Sequence, residues 1–181
     1  MKHVKNKIRY SFGTMEDLED ISNVHTKSWQ KHYRDILSDD YLDNEITEER
    51  LNIWKKRFAS YNPNQVIIKA EIENKICGFA CHFLDYDAEY GHYLDNLHVL
   101  SAFQGLGIGM KLITLSATHC AQFNNSAYYL WVFTANSEAL GFYNKIGGQS
   151  IKEELFDAPD GNKVNAILIQ WPKPSILSLS F

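Results

Sequence analysis

The stretch LDNLHVLSAFQGLGIGMKL, Leu94 to Leu112, decides how the rest of the chain is read. Its first residues are strand-like, a turn follows, and glycines at 105, 107 and 109 open a helical run. That run carries Leu112, Ile113, Leu115, Ser116 and Cys120 on an inward face and reaches about Phe123. Glycine accepts positive φ and lets a ligand approach the main chain closely. The free N–H groups of a helix's first turn, at its positive end, favour an anion such as a pyrophosphate. Two glycine-rich classes do not fit. A phosphate-binding P-loop needs Lys-Ser/Thr after its last glycine, where Met110-Lys111-Leu112 stands. A dinucleotide fingerprint needs a third glycine at the position of Met110. A plain helix entry with flexible glycines stays open on the loop alone.

Outward from the loop, strands and helices alternate without repeats. Upstream, residues 8–12 alternate as a strand, and Thr14 with Asp17 three positions on resembles a capping box starting a helix. The apolar face of that helix is Leu18, Ile21, Val24, His25 and Trp29. Residues 31–44 read as loop with some helix, and Thr47 as the cap of a second helix with the stripe Leu51, Trp54 and Phe58. Strands follow at 65–72 and 76–84, joined by a hairpin at Glu73-Asn74-Lys75, and then at 92–100. Downstream, AYYLWVF (127–133) is a continuous apolar run, as expected of a strand covered on both faces. A helix over 137–146 ends at Gly147-Gly148, and strands at 149–155 and 164–171 pair across Ala158-Pro159-Asp160-Gly161. Residues 172–181 read as a tail. The pattern predicts an α/β protein: a mixed sheet of about seven strands with helices on both faces.

Length and composition agree. The 181 residues suit one domain, and 45% hydrophobic with 22% charged residues excludes a disordered chain. With 18 basic and 22 acidic residues and no basic block, nucleic acid is not an expected partner. No apolar run approaches the length of a membrane helix, and the basic start lacks the apolar core of a secretory signal, so a cytoplasmic location is expected. Three cysteines, Cys77, Cys81 and Cys120, make no disulfide framework and are expected to pack in the core. No metal site is expected.

Gln104-Gly105-Leu106-Gly107-Ile108-Gly109 matches the Q/R-x-x-G-x-G/A pattern of the GNAT acetyltransferase superfamily, which the chain closely resembles. Residues 136–143, NSEALGFY, resemble that family's second pattern, N-x-x-A-x-x-F-Y, and His25 to Gln30 with Tyr33 is similar to the first-helix region of many bacterial members. The likeness spans roughly residues 8–171 and implies a mostly antiparallel sheet that splays between its fourth and fifth strands. It also implies acetyl-CoA as acetyl donor. Leu97, His98 and Val99 would hold the pantetheine arm, and the amides of Gly105, Leu106, Gly107, Ile108 and Gly109 the pyrophosphate. Gln104 and Asn136 would assist, Asn136 serving equally as a helix N-cap.

Tyr143 is the implied catalytic acid, placed beside the sulfur: a phenol of pKa about 10 can protonate a departing thiolate without ionising at neutral pH. The base is less defined. Some members carry Glu on the fourth strand where Tyr93 stands here, so that role does not transfer. Asp95 and His98 are candidates near the splay, Glu89 and His92 at its entrance, and a neutral amine needing no base is the alternative. Trp29, Tyr33 and Tyr41 are candidate acceptor-site aromatics. The acidic run Asp85, Asp87 and Glu89 would suit a cationic amine entering. The expected function is transfer of acetyl to a primary amine of a small molecule or peptide. The alternative is a non-catalytic CoA-binding sensor or interaction module. Homodimerisation through the late strands is left open.

Overall fold

The computed structural model describes residues 8–178. Seven strands form one sheet: β1 (Ile8–Phe12), β2 (Gln65–Ile72), β3 (Lys75–Asp87), β4 (Gly91–Val99), β5 (Tyr128–Phe133), β6 (Gln149–Asp157) and β7 (Lys163–Trp171). Their spatial order is β1-β2-β3-β4-β5-β7-β6, and every neighbouring pair is antiparallel except β4 with β5. Four helices cover it: α1 (Leu18–His32), α2 (Ile46–Ala59), α3 (Ile108–Phe123) and α4 (Ser137–Lys145). The α/β architecture inferred from the pattern is therefore present, as is the splay that the family resemblance implies.

Strand periodicity sorts the core into two layers. Ile67, Ile76, Phe79 and Cys81 face one way and pack with Ile21 and Val24 of α1 and Trp54 of α2. Their neighbours Ile68, Cys77 and Ala80 face the other way, onto Ile108, Leu112, Ile113, Ala117 and Cys120 of α3. All three cysteines are buried core residues with free thiols. Trp171, fully buried on β7, donates its indole N–H to the Ile146 carbonyl at 3.0 Å, tying the end of α4 to the sheet. A third cluster, with Leu37, Tyr41, Leu42 and Ile46 against Ala158 and Val164, closes the molecule where the loop after α1 meets the late strands.

Three local expectations change. Thr47 does not cap α2: the chain is already helical at Asp40 and passes through one wide π turn, Tyr41–Glu45, into Ile46. That extra turn places Leu42 and Ile46, both fully buried, in the same pocket. β3 runs past 84 to Asp87, because its hairpin with β4 continues through a bulge between Phe83 and Asp87. Within the stretch read as a tail, Pro174–Ser178 form a 3-10 turn on α3, with Leu177 buried and its carbonyl accepting from the Thr114 hydroxyl at 3.4 Å. The Thr14–Asp17 pair behaves as expected, the Thr14 amide donating to the Asp17 carboxylate at 2.8 Å. Its helix begins with a short 3-10 turn, Met15–Asp17, before α1.

The junction of the sheet's two halves rests on Gly91, whose φ is +84° and where a Cβ would lie 2.2 Å from the Ala127 carbonyl oxygen. Gly91→Ala should cost about 2–4 kcal/mol from left-handed strain plus overpacking, a fall in Tm on the order of 10 °C in a thermal melt. An unchanged Tm would show that the junction tolerates the methyl group.

Candidate active site

β4 and β5 touch only briefly. They pair at His92↔Tyr128 and Tyr93↔Tyr129, and then diverge. Beyond that point β4 stays on β3 as far as Val99↔Gly78, while β5 stays on β7 as far as Phe133↔Ala166. Each strand thus keeps one satisfied edge and offers the other to a slot between them. The slot opens into a cavity of about 830 Å³, lined from α1, α2, β4, β5, the glycine loop and α4. Ligand sites commonly fall in this size range.

The glycine loop fits a pyrophosphate. Gly105 and Gly107 have φ of +74° and +83°, and a Cβ at either would meet nothing within 4 Å, so both present bare main chain to open space. The first helical hydrogen bond of α3 runs from Lys111 N–H to the Gly107 carbonyl at 3.0 Å. This leaves the N–H groups of Ile108, Gly109 and Met110 without helical partners, aligned with the positive end of a 16-residue helix. Leu106 is the exception in the loop: it packs against the core and does not line the cavity. Gln104 bonds His32 Nε2 at 3.0 Å, and His32 Nδ1 lies 3.7 Å from Glu138, linking the loop, α1 and α4.

Along β4 the alternation separates the candidates. Leu97 and Val99 pack on the α3 side and line the slot. His98 points to α1, stacked on His25 at 4.6 Å between centroids and bonded through Nδ1 to the Ser28 hydroxyl at 3.0 Å. Burial, with Arg50 and His32 nearby, pushes the His98 pKa down to about 3. The imidazole is therefore neutral and weakly basic. His25 is likewise held neutral, chiefly by burial, with Nδ1 accepting from the Trp54 indole at 3.1 Å. Asp95 is paired with Arg57 at 2.5 Å, and Arg57 also donates to the Asn96 side-chain oxygen at 3.1 Å.

On α4, Tyr143 lines the cavity and sits edge-on to Phe142 and Trp171. Burial, reinforced by the Tyr33 phenol, raises its pKa above the ordinary value, so it stays protonated at any working pH. Asn136 caps α4 through a bond from the Ala139 amide at 3.1 Å and also faces the Tyr33 hydroxyl. Trp29 and Tyr33, packed edge to face at 4.9 Å, line the cavity.

Several candidates lie elsewhere. Tyr41 is buried in the third cluster, bonded to Glu49 and Arg50. His92 faces away from the cavity, its Nδ1 accepting from the Asp85 amide. None of the acidic run lines the cavity: Asp85 accepts from Asn124, and Asp87 accepts the amides of Glu89 and Tyr90. Tyr93 does line the cavity, stacked on Tyr129 at 5.0 Å where the strands still pair. Conversely, Arg50 and Arg57 line the cavity although the sequence reading passed over them. Their spacing of seven, with Trp54 between, puts all three on one helical stripe, and that polar interruption was the available signal. Among the described residues no cluster of three or more potential metal ligands occurs, and no helix is long and apolar enough to cross a membrane.

This is the fold of known acetyltransferases, and the chain belongs to the acetyltransferase (GNAT) family, whose model matches residues 20–148. An uncharacterised N-acetyltransferase of Bacillus subtilis (strain 168), YuaI, is 26% identical over 165 residues, covering 90% of this chain and 92% of that one. The PaiA N-acetyltransferase of Thermoplasma acidophilum, solved in complex with coenzyme A, superposes with a TM-score of 0.69 at 21% identity, covering 91% of this chain and 99% of that one. YncA of Salmonella typhimurium, solved with its cofactor acetyl-CoA, gives 0.66 at 17% identity, covering 92% and 94%.

The neutral histidines set a pH dependence. His98, with its folded pKa lowered to about 3 from an ordinary 6.5, binds its proton mainly in the unfolded chain between those values. Stability is therefore full above about pH 7 and falls as pH drops through that window. His98→Asn should flatten the fall between pH 5 and 6.5 by about one proton's slope, on the order of 1 kcal/mol per pH unit. Denaturant titrations across that range read it, and an unchanged slope would mean His98 is not buried neutral.

Proposed function

We propose that this protein transfers the acetyl group of acetyl-CoA to a primary amine within a ternary complex. The observation that carries the reading is the slot between β4 and β5, continuous with the glycine loop at one end and Tyr143 in the same cavity. The loop amides would take the pyrophosphate, and the free edges of Leu97 and Val99 the pantetheine amides. Burial of the thioester there strengthens each of those hydrogen bonds.

The chemistry balances simply. The amine nitrogen attacks the thioester carbon, a C–N bond forms, the C–S bond breaks, and one amine proton ends on the sulfur. Tyr143, held neutral, is the donor toward the sulfur as negative charge develops there. Neither Asp95 nor His98 suits a strong base, since one is committed to Arg57 and the other is weakly basic. The acceptor then reacts as its neutral form, at a cost of about 4–5 kcal/mol for an alkylamine of pKa about 10.4 at pH 7. Positioning in the closed slot offsets this. Asp95 and His98 act as positioning residues, fixing Arg57 and the α1 wall.

Tyr143→Phe should lower kcat roughly 10²–10³-fold, while calorimetry shows acetyl-CoA affinity within about twofold. Equal turnover would remove the phenol from the reaction. Gly107→Ala should weaken acetyl-CoA binding by roughly tenfold, because strain at φ +83° turns the loop amides away from the pyrophosphate. Binding without thiol release on any amine would favour a sensor instead.

A further inference from the structure

Two arginines face the cavity from α2, and their situations differ. Arg57 pairs with Asp95 at 2.5 Å and donates to Asn96 at 3.1 Å, both through Nη1, and its half-buried side chain keeps no enclosed unpaired donor among the described residues. Arg50 is only 7% exposed. Its Nη2 pairs with Glu49 at 2.9 Å and donates to the Tyr41 hydroxyl at 3.3 Å. Among the described residues neither Nε nor Nη1 has a hydrogen-bond partner, and Nε is fully enclosed. The guanidinium lies 4.3 Å from the centroid of the Trp29 ring, whose own N–H is also buried without a partner. An enclosed donor without a partner is costly, more so when it is charged. Glu49 and Tyr41 hold one corner of the fork and so fix the direction of the rest.

An immobilised guanidinium whose Nη1 is still unpartnered at the cavity wall suits an anion. The acidic run that would have favoured a cationic visitor does not line the cavity, and of the carboxylates that do, Asp95 pairs with Arg57, Asp157 with Lys163, and Glu138 lies 3.7 Å from His32. We infer that the amine acceptor also carries a carboxylate, and that Arg50 receives it against the Trp29 ring. The acceptor class is thus an amino acid or the free end of a short peptide. This rests on the acetyl-transfer reading above for the fate of the amine, but the anion subsite is measurable without turnover.

The test is calorimetric titration of the full-length protein, saturated with CoA, using matched pairs: free amino acids of increasing amine–carboxylate spacing and short peptides, each beside its carboxamide. At least one acid should bind tenfold or more tighter than its amide, and the binding series separates free amino acids from peptides. Arg50→Gln should abolish that preference, whereas Arg50→Lys, which keeps the charge without the fork, should retain part of it; retained CoA affinity certifies the fold. Acids and amides binding alike, or neither binding, overturns the inference on the wild-type protein alone. Thiol release on the same pairs separates the two readings: transfer without preference for acids leaves the acetyltransferase and removes the carboxylate site. Acid-selective binding without release from any pair keeps the site and removes the transfer.

Discussion

The parting of β4 from β5 after two paired positions is the constraint on which the rest depends. A β-strand inside a sheet normally has both edges satisfied, and an unpaired buried edge is costly. Here β3 and β7 satisfy the outer edges of the two strands, and Gly91 brings them together at one end only. The inner edges then face a cavity and not solvent. Every proposed contact to the arm of acetyl-CoA uses that vacant edge, and the glycine loop and α4 lie at its margins because they directly follow β4 and β5 in the chain.

The two walls of the cavity differ in chemistry. The α3 and α4 side offers main-chain donors and a neutral phenol, suited to a charged phosphate tail and a developing thiolate. The α1 and α2 side offers aromatic rings, neutral histidines and two guanidinium groups. Burial keeps His25 and His98 uncharged, which leaves the arginines as the cations of that wall. Each arginine has one carboxylate partner, Asp95 for Arg57 and Glu49 for Arg50, but only Arg50 also keeps an enclosed Nε without a partner among the described residues.

Local signals made much of this legible. The glycines at 105, 107 and 109 mark the loop because positive φ and close approach are backbone properties that residue type records directly. The run AYYLWVF identifies β5 because a strand covered on both faces has no polar alternation. Thr47 misled for a related reason: a capping residue looks the same whether or not the chain upstream is already helical, and the π turn before Ile46 is driven by burial of Leu42. The stripe of Arg50, Trp54 and Arg57 marked a polar interruption of α2, but which of its donors would find partners depends on tertiary packing that no spacing encodes.

The sequence by itself determined the element order, the two core layers, the glycine loop and the family, since each follows from periodicity or from residues adjacent in the chain. Only the tertiary structure decided which side chains share the cavity. It turned His92 and the acidic run away, engaged Asp95 with Arg57 across 38 residues, and left Arg50 unfinished beside Trp29. Those outcomes depend on how α1 and α2 pack over a splayed sheet, a geometry set by the sum of many buried contacts and not by any one stretch of chain.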